Sequence, residues 1–168
     1  MKRNNNFFGF WSRKLHRWGT AIVAVPLLVI IVSGLVLQWK KQLEWIQPPT
    51  QRGSAVNAPM VSFEQILQAA RSAESAGIRT WEDVDRLDVR PGKGVAKVTA
   101  RENGWEVQVD LKTAKVMHVA QRRSDLIEAI HDGSWFHAGA KLWIFFPVTV
   151  ITLVLLVTGV YLFYLPYK

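Results

Sequence analysis

Residues 19–39, GTAIVAVPLLVIIVSGLVLQW, run without a formal charge between Arg17 on one side and Lys40 on the other. At about 1.5 Å per residue, a helix of this length crosses a hydrocarbon core of about 30 Å. The stretch therefore reads as a transmembrane helix. A second charge-free run, residues 142–167, lies near the other terminus, and everything that could fold in water falls between the two. The expected fold class is membrane α+β, with two transmembrane helices flanking one small domain.

The net charge of +8 would suit a nucleic-acid binder if it were spread evenly, but its placement excludes that class. The tail before the first run carries Lys2, Arg3, Arg13, Lys14 and Arg17 and no acid, whereas all 13 acidic residues lie between Lys40 and Lys141, where basic residues nearly balance them. This is the positive-inside pattern, so the N-terminal tail is expected to be cytoplasmic and the domain periplasmic, in a bacterial inner membrane. Two spans return the C-terminus, ending in Lys168, to the cytoplasm. A cleaved signal peptide is the competing reading of the first run. The run is too long for an ordinary signal core and no small-x-small site follows closely, so an uncleaved anchor is expected. The chain has no cysteine, which excludes disulfides, thiolate metal sites and a cysteine nucleophile.

Outward from the first span, residues 1–18 form a basic and aromatic segment in which Phe7, Phe8, Phe10 and Trp11 suit the membrane interface. Within the span, Pro26 is a bend candidate and Ser33-Gly34 offers a small surface for another helix. Trp39 and Trp45 mark the far interface, and Pro48-Pro49 stops the helix. Residues 40–60 read as a linker. Residues 61–123 read as a domain of one helix laid over an antiparallel sheet. Ser62 and Gln65 form a capping box, Phe63, Ile66, Leu67 and Ala70 recur at helical spacing, and Gly77 can end the helix. Strands are expected from Val84 to Val89, Val95 to Ala100, Trp105 to Leu111 and Val116 to Ala120, with a hairpin at Asn103-Gly104. Ser124 caps a juxtamembrane helix over residues 124–138, and residues 139–166 form the second span.

The run Val107-Gln108-Val109-Asp110-Leu111-Lys112-Thr113-Ala114-Lys115-Val116, with the helix before it, resembles the PepSY domain. Ala114 stands where that family usually carries Gly. The flanks Arg13-Lys14-Leu15-His16-Arg17-Trp18 and Ala129-Ile130-His131-Asp132-Gly133-Ser134 resemble the PepSY-associated transmembrane helix family. The resemblance implies two roles: small soluble PepSY domains restrain secreted peptidases, while membrane-embedded relatives include haem-containing reductases that act on imported iron carriers. Those larger relatives have more spans than this chain.

A b-type haem in a membrane needs axial imidazoles, an apolar slot and basic groups near its propionates. His16, among Arg13, Lys14 and Arg17, suits a haem at one membrane face, with Arg13 and Arg17 as propionate partners. His131, with His137 as an alternate, suits one at the other. His16 lies roughly 30 Å from the outer pair by helical rise, so they cannot share an iron, and a symmetric dimer would let each histidine meet its copy. The plainer alternative makes these histidines headgroup contacts or helix caps. His118, on a strand, reads as an ordinary domain residue, and the acidic run Glu82, Asp83, Asp85 and Asp88 as a solvated loop. No metal site beyond haem iron is expected. Nothing resembles a nucleophile elbow, a phosphate loop or a zinc-protease motif, which argues against a hydrolase.

The leading expectation is thus an inner-membrane haem b protein moving electrons to a periplasmic acceptor, as a reductase component in siderophore-iron reduction. The alternatives are a membrane-anchored PepSY module that binds or regulates a peptidase, or an accessory subunit packing on a larger membrane complex through Ser33-Gly34 and Gly159. The expected partners are membrane lipid, a second copy or a larger complex, and a periplasmic redox or protein partner, with no nucleic acid. Alkaline phosphatase fused near Ser54 should be active if the charge asymmetry sets the topology. Activity of a C-terminal fusion instead would reverse the orientation.

Overall fold

Residues from Asn5 to Gln38 form one unbroken helix, α1, of 34 residues that includes Pro26. A computed structural model describes residues 5–57 and 60–164 of the chain. Lys2, Arg3, Pro59 and Lys168 lie outside these, as do the side chains of residues 5–9, Phe7 and Phe8 among them. The helix begins well before the charge-free run because nothing in the basic segment breaks it. Its apolar side chains are largely bare: Ile22 is 69% exposed and Val25 73%. Helix α4 (Phe146–Tyr164) is the same, with Leu156 64% exposed. A soluble core helix would bury such residues, so these surfaces need lipid. Both helices are long and apolar enough to span a membrane, over Phe10–Gln38 and Lys141–Tyr164.

The chain divides into two compact units, residues 1–37 with 126–168, and residues 38–125. In the first, Val23 of α1 is buried with Val148 and Leu155 of α4, and Leu27, Ile30 and Ile151 pack around them. Gly19 makes room for this contact, since a Cβ there would come within 3.0 Å of Leu155 Cδ2. Helix α3 (Ser124–Asp132) ends at Gly133, whose φ of +85° and contact with the Phe145 ring both exclude a side chain. The Phe136 ring stacks on Phe145 at 5.8 Å. The chain then enters α4 through a π-helical turn, Lys141–Phe145.

In the second unit, strands β1 (Val84–Arg90), β2 (Val95–Ala100), β3 (Trp105–Asp110) and β4 (Val116–Gln121) form an antiparallel sheet in the order β1-β2-β3-β4. Helix α2 (Phe63–Arg71) carries the capping box, with Ser62 Oγ accepting from Gln65 N and Gln65 Oε1 accepting from Ser62 N. The helix stops at Arg71, and Gly77 closes a separate 3₁₀ turn, Glu74–Ala76. Ile66, Leu67 and Ala70 of α2 pack on Ala96, Val98, Ala100, Val107 and Val109, the residues that alternate onto one face of the sheet.

The other face differs from a solvated one. Lys97, Thr99, Glu106, Gln108 and Asp110 point that way and are all buried. Lys97 Nζ lies 2.8 Å from Glu106 Oε1, Gln108 Nε2 donates to the same oxygen, and Arg122 bridges Glu106 to Asp125. The segment expected as a linker covers this layer. Gln108 Oε1 accepts from Gln51 N at 2.7 Å while Gln108 Nε2 donates to Pro49 O at 2.9 Å, and Asp110 Oδ2 accepts from Ser54 N. The cover is fixed at its start, where Ser124 N donates to Ile46 O and the Arg123 guanidinium lies over the Trp45 ring.

Asp110 also organises the β3–β4 turn, accepting from the Lys112 and Thr113 amides, and Ala114 completes it at a φ of +56°. That conformation explains the Gly usual at this position, because a Cβ there is strained. Burial opposes the Asp110 charge, but the amides of Ser54, Lys112 and Thr113 overcome it and hold the carboxyl well below the usual range. A depressed folded pKa contributes stability above the unfolded value, and that contribution is lost as pH falls below about 4. Asp110→Asn should therefore cost about 1–3 kcal/mol at neutral pH, since its amide would face the Ser54 donor. It should also flatten the acid limb of unfolding, and an unchanged acid limb would refute the assignment.

Candidate functional site

The first unit contains two histidine contacts of the same kind, one at each end of the α1–α4 pair. His16, half-buried on the first turns of α1, places Nδ1 3.3 Å from Thr158 Oγ1 of α4. Its ring lies over Gly159, where a Cβ would come within 3.3 Å of Cε1. His131, at the end of α3, places Nδ1 3.0 Å from both Ser33 Oγ and the Ile30 carbonyl of α1. Its ring lies over Gly34, where a Cβ would come within 3.2 Å of Cε1. A hydroxyl residue followed by glycine thus receives a histidine at both ends.

Hydrogen-bond accounting assigns the tautomers. Thr158 Oγ1 has one proton, and with that proton on the Val154 or Leu155 carbonyl one turn back the oxygen accepts from His16. Ser33 Oγ likewise donates to Val29 O or Ile30 O, and the Ile30 carbonyl is itself only an acceptor. Both histidines therefore carry the proton on Nδ1. In the neutral ring this leaves Nε2 as a lone pair, and among the described residues nothing is bonded to it. A protein acceptor that takes the proton-bearing ring nitrogen and leaves the other basic is the arrangement of a ligating histidine.

His137 is different. It sits exposed on the turn before α4, and its Nδ1 accepts from Gly139 N at 3.0 Å. The neutral ring then holds its proton on Nε2, and no lone pair remains. His118 lies in the second unit, on β4 opposite Gln108, with a buried Nδ1 that has no partner among the described residues.

Around His16, an apolar groove of about 550 Å³ runs between α1 and α4, lined by Val23, Leu27, Leu155, Gly159 and Phe163 among others. Arg13 is exposed one turn before His16 on the same side of α1, while Arg17 lies a quarter-turn round, its guanidinium over the Trp18 ring. Around His131, a smaller space of about 270 Å³ is lined by Ile30, Asp132, Lys141, Phe145 and Thr149. There Lys141 Nζ donates to Asp132 Oδ2 at 2.7 Å, and with Ser134 it lowers the Asp132 pKa to about 2. The Asp132 carboxylate stays charged at any physiological pH. His16 and His131 do not approach one another. His16 on α1 and the α1 partners of His131, Ile30 and Ser33, are some 14–17 residues apart along the helix, roughly 20–25 Å.

The sequence singled out both histidines but missed Thr158 as the partner of His16. Ser33-Gly34 and Gly159 were expected as surfaces for a larger complex, and here they receive the chain's own imidazoles. The available signal was the recurrence of a hydroxyl-glycine pair in each apolar run. Among the described residues no group of three or more histidine, cysteine or acidic side chains could hold a metal ion.

No curated protein and no solved structure matches the chain. A family model described as the PepSY-associated TM region matches residues 13–165, a span that begins just before His16, takes in both apolar helices and the whole sheet, and contains every contact above. The chain is a membrane protein with a PepSY module between two apolar helices, and it belongs to the PepSY-associated TM region family.

Proposed function

We propose that the protein is a haem b-binding electron carrier of the bacterial inner membrane, with His16 and His131 as axial ligands at opposite ends of the helix pair. The observation that carries this reading is the shared tautomer, Nδ1–H bonded to the other segment and Nε2 left as a lone pair. The donor set fits half a site at each end. One chain offers a single imidazole at each depth, and a six-coordinate haem takes two, so the reading requires a second copy of the chain. Arg13, on the His16 side of α1, is the better placed propionate partner and Arg17 the second. Bound haem would supply one-electron redox chemistry at each end. The chain's own residues hold the imidazole planes, keep water from an apolar groove and place positive charge at its mouth. A periplasmic acceptor, as in siderophore-iron reduction, is the direction that the charge asymmetry favours.

The second reading, a membrane-anchored PepSY module that binds another protein, is favoured by a separate observation, the covered polar face of the sheet.

The test is the reduced-minus-oxidised spectrum of protein made in haem-replete cells and extracted in mild detergent. His16→Ala and His131→Ala should each remove a different part of it. Thr158→Val removes the Nδ1 partner that His16 has among the described residues and should lower haem retention at that end about tenfold or more. Ser33→Ala should do less at the other end, since the Ile30 carbonyl still holds the His131 ring. Wild-type protein without a Soret band would sink the haem reading, and equal effects of the two hydroxyl variants would sink the tautomer argument.

A further inference from the structure

The outer face of the sheet is built in a way that a permanent cover does not need. A segment that serves only as structure would bury mostly apolar side chains, whereas residues 48–54 bury Pro48 alone of that kind and lie on Lys97, Glu106, Gln108 and Asp110, each at most 4% exposed. Exposing apolar residues costs free energy, but exposing these returns their charges and amides to water. The fit is also incomplete. His118 Nδ1 on this face and Gln47 Oε1 at the start of the cover are buried without partners among the described residues, which penalises the closed state.

The contacts themselves read a main chain. Gln108 clamps Pro49 O and Gln51 N with both ends of its amide, as a neighbouring strand would, and Asp110 takes Ser54 N. Lys93 O takes Gly53 N at 2.8 Å. Besides Pro48, whose side chain is buried, two positions are read by side chain. Arg90 Nη1 donates to Thr50 Oγ1 at 3.1 Å, and Gly53 passes so close to Gly94 that a Cβ would collide with the Gly94 carbonyl. Pro49, Arg52 and Ser54 face solvent. The hold is a handful of hydrogen bonds and the buried Pro48 side chain, while the apolar core under α2 is on the opposite face.

We propose that this face is a peptide-binding surface, shut in cis by residues 48–54, which accepts in their place an extended segment of a partner protein. The pattern it reads is Ser or Thr, two free positions, then Gly, with no proline where Gln51, Gly53 and Ser54 donate their amides. The recognition is that of strand addition, except that side chains of the sheet's face do the pairing. It does not involve His16 or His131, so loss of haem would leave it unaffected.

The experiment uses the full chain in detergent micelles and a fluorescent peptide copying residues 47–57. Gly53→Val should expel the cover without touching the sheet, so that the variant binds the peptide at least about tenfold more tightly than wild type. Gln108→Leu in that background should abolish binding, as should valine at the peptide's glycine. A Gly53→Val protein with unchanged far-ultraviolet circular dichroism that binds the peptide no better than a scrambled one would overturn the proposal. Dimerisation of the variant that Gln108→Leu reverses would assign the face to a second copy and overturn it equally. If the variant does not fold, hydrogen exchange on wild type decides. Amides of Gln51, Gly53 and Ser54 should exchange at least about a hundredfold faster than those of Val107 and Val109, and equal protection would refute an openable cover.

Discussion

Two helices in lipid gain nothing by hiding leucine from a solvent that is itself hydrocarbon, so their association rests on close packing and on polar contacts. In this chain both devices are placed together. Gly19, Gly34 and Gly159 remove side chains where α1 and α4 or the α3 terminus come near, and His16 and His131 each donate one hydrogen bond across the gap. The rest of the first unit follows. The buried centre is small, Val23 with Val148 and Leu155, and the outward surfaces stay bare for lipid.

The same contacts set the chemistry. A hydroxyl in a membrane helix satisfies itself by donating to the carbonyl one turn back, which leaves it only able to accept. An imidazole that meets it must donate from Nδ1, and the opposite nitrogen is left basic. Thr158 and Ser33, unremarkable helix residues, thereby choose the tautomer of the two histidines on which the functional proposal rests. His137 shows the contrast: a local turn uses its Nδ1 as acceptor and leaves no lone pair.

In the second unit the governing constraint is that both faces of β2 and β3 are covered, one by apolar α2 and one by a polar layer. Glu106 is the centre of that layer, accepting from Lys97, Gln108 and Arg122, so that a fully buried carboxylate has its charge opposed and its oxygens occupied. Removing any one donor leaves the others facing an under-satisfied acid, while opening the cover solvates the whole set.

The sequence by itself determined the two spans, the four strands and the capping box at Ser62, because each is written in local terms: charge-free length, period-two alternation, a hydroxyl three residues before a glutamine. It also marked His16 and His131 as polar groups at span ends. What it left open was set by residues distant in the chain. The pairing of His16 with Thr158 crosses 142 positions, and that of His131 with Ser33 crosses 98, so no local pattern announces the tautomers. Residues 40–60 read as a linker because prolines and polar residues interrupt any helical or alternating period there. Yet a segment of that composition, with free amides and no bulky side chain at Gly53, is also what a polar sheet face can hold by its main chain, and only the folded sheet, with Gln108 and Asp110 turned toward it, decided between the two.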